Sequence, residues 1–180
     1  MTDVKLRVIT KDDLELIRKW RSSPEVNKFM YTEAAPTKEQ QQQWFESIRK
    51  RNTTKYWMIE YNATPIGVAN LVNISSIHDS CDWAFYLGDA SIRGKGIGSK
   101  IEFQVIEYVF ETLGLNKLKC EVIEFNGKVV KMHEKFGFRR EAFYRDHVKK
   151  GSTYYDVVGL GLLKRDWLKI KNSLKDVIYR

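Results

Sequence analysis

The chain of 180 residues is 43% hydrophobic and carries 31 Lys+Arg against 23 Asp+Glu, a formal net charge of +8. That length suits one domain spanning 1–180, and the apolar content is enough for a real core. No apolar run approaches the roughly 18–20 residues of a membrane span, and Met1-Thr-Asp-Val-Lys-Leu-Arg7 lacks the apolar stretch of a secretory leader, so no membrane partner and a cytoplasmic location are expected.

In chain order, residues 5–9 read as a first strand. Thr10-Lys-Asp-Asp13 then has the form of a capping box, opening a helix with Leu14, Ile17 and Trp20 along one face. Ser22-Ser-Pro24 ends that helix and a loop runs through Met30-Tyr31-Thr32. A second helix starts at Thr37 or Lys38 and contains Trp44, Phe45 and Ile48. Residues 56–61 and 65–74 are strands joined by Asn62-Ala-Thr64, a hairpin signal. Residues 82–87 alternate, with Trp83, Phe85 and Leu87 on one face and Asp82, Ala84 and Tyr86 on the other.

The main helix is expected over 99–113, where Ile101, Val105, Val109 and Leu113 recur every four residues, and Gly114 closes it. A buried strand follows over 118–123. Asn126 caps a helix that runs through Phe136 and stops at Gly137. Residues 140–147 and 154–163 flank Lys149-Lys-Gly-Ser152 as a long hairpin, and a last helix contains Trp167, Leu168 and Leu174. The order implies a mixed α/β layer design without repeats or linkers. Cys81 and Cys120 both fall in strand-like segments, away from any Cys-x-x-Cys or Cys/His cluster, which speaks against zinc and against a disulfide framework.

The most informative segment is Cys81-Asp-Trp-Ala-Phe-Tyr-Leu-Gly-Asp-Ala-Ser-Ile-Arg-Gly-Lys-Gly-Ile-Gly98. A strand runs into an arginine and three glycines, and a helix follows at once. Glycines let backbone N–H groups turn toward a ligand, and a helix N-terminus adds unpaired donors and partial positive charge. The junction is therefore suited to a phosphate chain. A dinucleotide fingerprint needs Gly-x-Gly-x-x-Gly directly after a strand, but position 99 is serine and residues 88–92 intervene. A Walker loop has no matching window.

Arg93, Gly96 and Gly98 fit an Arg/Gln-x-x-Gly-x-Gly/Ala pattern that resembles the pyrophosphate loop of the GNAT N-acetyltransferases. The element order resembles that fold from end to end: a mixed, mostly antiparallel sheet flanked by helices, with two central strands splayed apart. The resemblance implies acetyl-CoA as cofactor, held through Leu87, Arg93, Gly94, Gly96, Ile97, Gly98 and Ser99. Asn126-Gly-Lys-Val-Val-Lys-Met-His133-Glu-Lys-Phe-Gly-Phe138 resembles the family's second segment, which implies that Asn126 contacts the pantetheine arm and adds Lys135 to the cofactor set. Where the family has a tyrosine that returns a proton to the departing sulfur, this chain has His133.

Imidazole can fill that role, so His133 is the expected general acid, the alternative being a helix histidine bonded to a carbonyl. Glu121, within the strand 118–123, is the candidate base for the acceptor ammonium, the alternative being a solvated strand face. No serine or cysteine nucleophile is required, since an amine can attack a thioester directly. Backbone donors beside Tyr86 and Leu87 would polarise the carbonyl, and the Tyr86 hydroxyl would bond the reacting nitrogen or sugar hydroxyls.

For the acceptor, Trp20-Arg-Ser-Ser-Pro-Glu-Val-Asn-Lys-Phe-Met-Tyr31 resembles a narrower group that N-acetylates a UDP-linked 4-amino-4,6-dideoxy sugar in pseudaminic acid synthesis. Trp44, Gly67, Tyr86 and Tyr155-Asp-Val157 continue the match. It implies a nucleotide-sugar substrate, with Gln41, where that group often has histidine, near the nucleotide. The residue chemistry agrees: Arg21 can pair a diphosphate, Met30 and Tyr31 can pack against a uracil ring, and Asn73 can bond sugar hydroxyls or the reacting nitrogen. Trp20 and Met30 have core packing as the alternative reading. A homodimer is also implied, because many relatives dimerise. Two rivals stay open: acetylation of a protein N-terminus, as in ribosomal-protein acetyltransferases, which share both motifs, and a basic nucleic-acid-binding module. The second would want basic and aromatic residues interleaved on one face, whereas the 31 Lys+Arg are spread along the chain.

Overall fold

Alternating and continuous apolar runs form seven strands in the computed structural model, which describes residues 3–32, 36–88, 92 and 94–180. They are Val4–Val8 (β1), Lys55–Tyr61 (β2), Thr64–Ser75 (β3), Ser80–Leu87 (β4), Lys117–Ile123 (β5), Arg139–Lys150 (β6) and Thr153–Leu163 (β7). One sheet contains all seven in the order β1-β2-β3-β4-β5-β7-β6. Every neighbouring pair is antiparallel except β4 with β5, which is parallel. The helices are Leu14–Ser22 (α1), Pro24–Asn27 (α2), Lys38–Lys50 (α3), Ile97–Glu107 (α4), Gly127–Lys135 (α5) and Lys164–Ile178 (α6). None of the described helices is long and apolar enough to cross a membrane.

Both faces of the sheet are covered. Met58 and Val68 join Ile17, Trp20 and Phe45 of α1 and α3 in one apolar cluster. Their chain neighbours Ile59 and Ala69 point the other way, into a larger cluster with Ile101 and Phe103 of α4 and Trp167 of α6. Successive strand residues face opposite sides, so a sheet buried on both sides has such pairs of adjacent apolar residues. Trp20 is core, as its alternative reading held. Its ring sits where a Cβ on Gly88 would stand, 2.2 Å from it, which leaves glycine as the fitting residue there.

Three local features depart from the sequence reading. Pro24 starts α2 at its first position, where a loop was expected. The main helix begins at Ile97, two residues early, and its last turn, Tyr108–Thr112, widens to π geometry, with the Leu113 N–H donating to Tyr108 O at 3.0 Å. Positive φ at Asn73 marks a register shift between β3 and β4.

The entry to α1 is pinned by charge. Arg7 of β1 donates from Nη1 and Nη2 to the two carboxylate oxygens of Asp13, both at 2.7 Å, and from Nε to Glu60 of β2 at 2.6 Å. Asp13 also accepts from the Thr10 N–H and hydroxyl, which satisfies the helix start as the capping box implied. Burial alone would raise the Asp13 carboxyl, but the Arg7 and Thr10 hydrogen bonds outweigh it and hold it below its ordinary value. A carboxyl lowered in the folded state adds stability above its unfolded pKa, near roughly 4, and loses it as pH falls through the folded value. Asp13→Asn is therefore expected to cost about 2 kcal/mol at neutral pH and to flatten the acid limb of stability below about pH 4, measured as urea midpoints across pH.

Candidate active site

The parallel pairing of β4 with β5 runs through Ser80–Lys117, Cys81–Leu118 and Asp82–Lys119 and then ends. Both strands continue, each held on its outer side: β4 by β3 as far as Leu87–Gly67, and β5 by β7 as far as Ile123–Val157. The inner edges beyond Asp82 and Lys119 open into a cleft of about 1480 Å³. That exceeds the roughly 300–1000 Å³ that a single drug-sized ligand needs, so cofactor and acceptor fit end to end.

The first turn of α4 forms one end. Gly94, Gly96, Gly98 and Ser99 line the cleft there. Gly94 and Gly96 have φ of +85° and +73°, and a Cβ on either would meet nothing within 4 Å. The glycines are thus required by backbone conformation rather than by space. The N–H groups of a first helical turn lack intrahelical partners, which suits phosphate oxygens. Ile97 sends its side chain into the core, leaving only its backbone for that role. Arg93 lies outside the described residues. Asn126 lines the cleft and caps α5 without a side-chain cap bond, so its amide is not spent on the helix. Lys128, not singled out in the sequence, lines this end as well. Lys135 does not: it is exposed at the far end of α5, two turns beyond Lys128. The residues present fit acetyl-CoA, with phosphates on the α4 turn and Lys128 and the pantetheine arm between β4 and β5.

Where the strands part, the sequence-predicted catalytic residues come together. Leu87, Tyr86, Glu121 and His133 all line the cleft. Glu121 sits exposed on β5 and accepts a hydrogen bond from the Tyr31 hydroxyl at 2.9 Å, a contact across 90 residues of chain. His133 is 3% exposed, and its Nδ1 lies 2.8 Å from Oε1 of Glu102. Its partner is thus a carboxyl group and not a backbone carbonyl. Burial pushes the Tyr86 phenol well up, with Arg21 pulling the other way, so it stays a neutral donor. Cys120 also lines the cleft, but burial pushes its thiol well up, aided by nearby carboxylates. A thiol held protonated is a poor nucleophile.

The other end is built from α1, α3 and the 28–32 segment. Arg21, Met30, Tyr31 and Gln41 all line it, with Trp44 edge-on to Tyr56 at 5.2 Å. Arg21 donates from Nη2 to the Thr32 hydroxyl at 2.8 Å, while its Nε and the Gln41 Nε2 are buried without a partner among the described residues. Asn73 is absent from this group. It sits exposed at the register shift of β3, where its amide donates to Asp82 at 2.8 Å. A period-2 reading of the strand could not foresee the shift that moves it away.

Glu102 and Lys128 are the residues that sequence reasoning missed. A signal for Glu102 existed: α4 is apolar almost all round, with Ile101, Phe103, Val105 and Ile106 buried beside it, and a helix of that kind buries whatever it carries.

Comparison with known proteins points the same way. The family model for the acetyltransferase (GNAT) domain matches residues 3–139. An acetyltransferase of Campylobacter jejuni, PseH, is 31% identical over 138 residues, 75% of this chain and 84% of its own length. Spermidine N(1)-acetyltransferase of Vibrio cholerae is 21% identical over 168 residues, 93% of this chain and 96% of its own. The crystal structure of spermidine N-acetyltransferase from Vibrio cholerae in complex with CoA and spermine aligns with a TM-score of 0.86 at 21% identity, covering 92% of this chain and 98% of that one. At that identity the likeness is one of fold.

Gly96→Ala places a Cβ on a left-handed residue at a cost of about 1 kcal/mol without a steric clash. Calorimetry is expected to show CoA affinity reduced about tenfold while the melting temperature drops by only about 4 °C. Unchanged affinity would separate the loop from the phosphates.

Proposed function

The chain belongs to the GNAT acetyltransferase family, and from that premise we propose that its acceptor is the amine of an anionic, nucleotide-linked amino sugar, of the UDP-4-amino-4,6-dideoxy kind. The enzyme is an acetyl-CoA-dependent N-acetyltransferase, and in this reading residues 1–180 act as one domain. The observation that carries the acceptor class is the charge of the cleft. Among the described residues lining it, Glu121 is the one carboxylate, against Arg21 and Lys28 on the acceptor side, with Lys128 standing at the cofactor end. A polyamine brings several ammonium groups and wants several carboxylates. A diphosphate wants a guanidinium, which pairs it through two parallel hydrogen bonds.

The buried, unpartnered donors of Arg21 and Gln41 support the same class. An unsatisfied buried donor costs about 1–3 kcal/mol, and phosphate or uracil oxygens would remove that cost on binding. Met30 and the Trp44–Tyr56 pair add apolar and aromatic surface for a base.

The chemistry follows from the parted strands. The free amine attacks the thioester carbonyl, forming a C–N bond as the C–S bond breaks. Glu121 takes the amine's proton directly or through one water, and must release the Tyr31 hydroxyl or share it as the acceptor enters. His133 returns a proton to the departing sulfur. Backbone N–H groups on the free inner edge of β4 stabilise the oxyanion.

The test is release of CoA thiol, followed with a disulfide dye. Release with the UDP-linked 4-amino sugar, and not with its 4-hydroxy counterpart, spermidine or an N-terminal peptide, supports the reading; fast release with spermidine or the peptide instead overturns it. Arg21→Gln is expected to raise KM for the sugar about tenfold with the acetyl-CoA KM unchanged. Glu121→Gln is expected to lower kcat about 100-fold.

A further inference from the structure

Behind the reacting centre two buried polar side chains face each other across two helices. Glu102 of α4 is fully buried, and its Oε1 lies 2.8 Å from Nδ1 of His133 on α5. The second carboxyl oxygen, Oε2, is buried without a partner among the described residues. Trp83 of β4 and Phe138 close over the imidazole, each with ring centroids 5.3 Å away. With Nδ1 committed to Glu102, Nε2 is the ring nitrogen left for the cleft that His133 lines.

We propose that Glu102 is a positioning residue for acyl transfer: by holding Nδ1 of His133 it presents a hydrogen-bearing Nε2 to the departing CoA sulfur. The proposal rests on the reading of His133 as the acid and is independent of which acceptor the enzyme uses.

An imidazole presents one nitrogen to a given side, and the bond made by the other nitrogen decides whether that side carries a hydrogen. A carboxylate beside a neutral ring would bury an uncompensated charge, with Oε2 unpartnered among the described residues, so the buried pair keeps one shared proton, which has two arrangements. In one, a carboxylate faces an imidazolium; in the other, a carboxylic acid donates to a neutral ring. Nε2 bears a hydrogen in both. Burial pushes the Glu102 carboxyl up while the His133 hydrogen bond pulls it down, so the two arrangements compete without changing what the cleft meets. Without the carboxyl, a neutral ring is free to place its single hydrogen on Nδ1 and turn a bare Nε2 to the sulfur.

The step balances within the known reaction. The C–S electron pair leaves on sulfur, which takes the Nε2 proton and departs as the thiol. The pair is left as a carboxylate accepting from the Nδ1–H of a neutral ring. The proton that the amine gives up as the amide forms is equal in number to the one given to sulfur, and proton exchange with water restores the pair.

Glu102→Gln keeps the shape of the side chain and removes the shared proton. It is expected to lower kcat about tenfold or more, with KM for acetyl-CoA within about twofold of wild type and CoA affinity by calorimetry unchanged. His133→Phe is expected to lose at least as much, and the double variant no more than His133→Phe alone, because Glu102 acts through the ring. Nitrogen-detected NMR of the cofactor-free wild type at neutral pH is expected to show a hydrogen on Nε2 of His133. An unchanged kcat in Glu102→Gln, a further tenfold loss in the double variant, or a bare Nε2 in the wild type overturns the proposal. The NMR measurement holds even where a variant does not fold. If His133→Phe keeps full kcat, the acid reading fails, and with it the proposal, while intact CoA binding leaves the acetyltransferase assignment standing.

Discussion

The structure depends on an interruption: β4 and β5 pair in parallel at three positions and then part. Unpaired backbone groups inside a protein are costly, and here both strands are secured on their outer sides by antiparallel partners. The wedge is therefore held open by the sheet itself. It leaves two free edges facing each other near the level of Tyr86 and Glu121, with the α4 N-terminus at one end. A thioester arm laid between the strands meets backbone donors on one wall and a carboxylate on the other.

Much of this was legible in the sequence because it rests on local chemistry. Strands announced themselves by period 2, α1 by Asp13 at its start, and the phosphate turn by glycines whose positive φ no other residue adopts cheaply. The site residues brought together by tertiary structure were harder to place. Glu121 and Tyr31 were singled out separately, and nothing in either segment says that they bond across 90 residues. Asn73 was misplaced by a bulge, and Lys135 by its distance along the helix, since Lys128, seven positions earlier, is the lysine on the cleft. The two-turn spacing puts both on nearly one face, yet the cleft follows α5 only as far as His133.

Charge shows the same division. The formal +8 of the whole chain predicts little, because most of its lysines and arginines are spread over the surface. The acceptor proposal rests instead on the local count within the cleft, where Arg21 is half-buried with one nitrogen unpartnered among the described residues. A guanidinium held this way loses hydration before any ligand arrives, which strengthens its pairing with an oxyanion over that of an exposed lysine.

The helix whose first turn suits the phosphates also carries the buried carboxyl. Gly98 and Glu102 are four residues apart on α4, so they lie on one face of the helix. Met132 and His133 are adjacent on α5. A Cβ on Gly98 would stand 3.3 Å from the Met132 sulfur, and one turn further on Glu102 reaches His133 at 2.8 Å. Gly98 thus serves the approach of α5 as much as the approach of a phosphate, and the close crossing it permits is what brings the imidazole within reach of its partner. In the proposed reading, cofactor grip and the support of the acid therefore share one rigid element. A change that pushes α5 away from α4 would loosen the acid at the sulfur without touching the acceptor end, where α1 and α3 pack on the opposite face of the sheet.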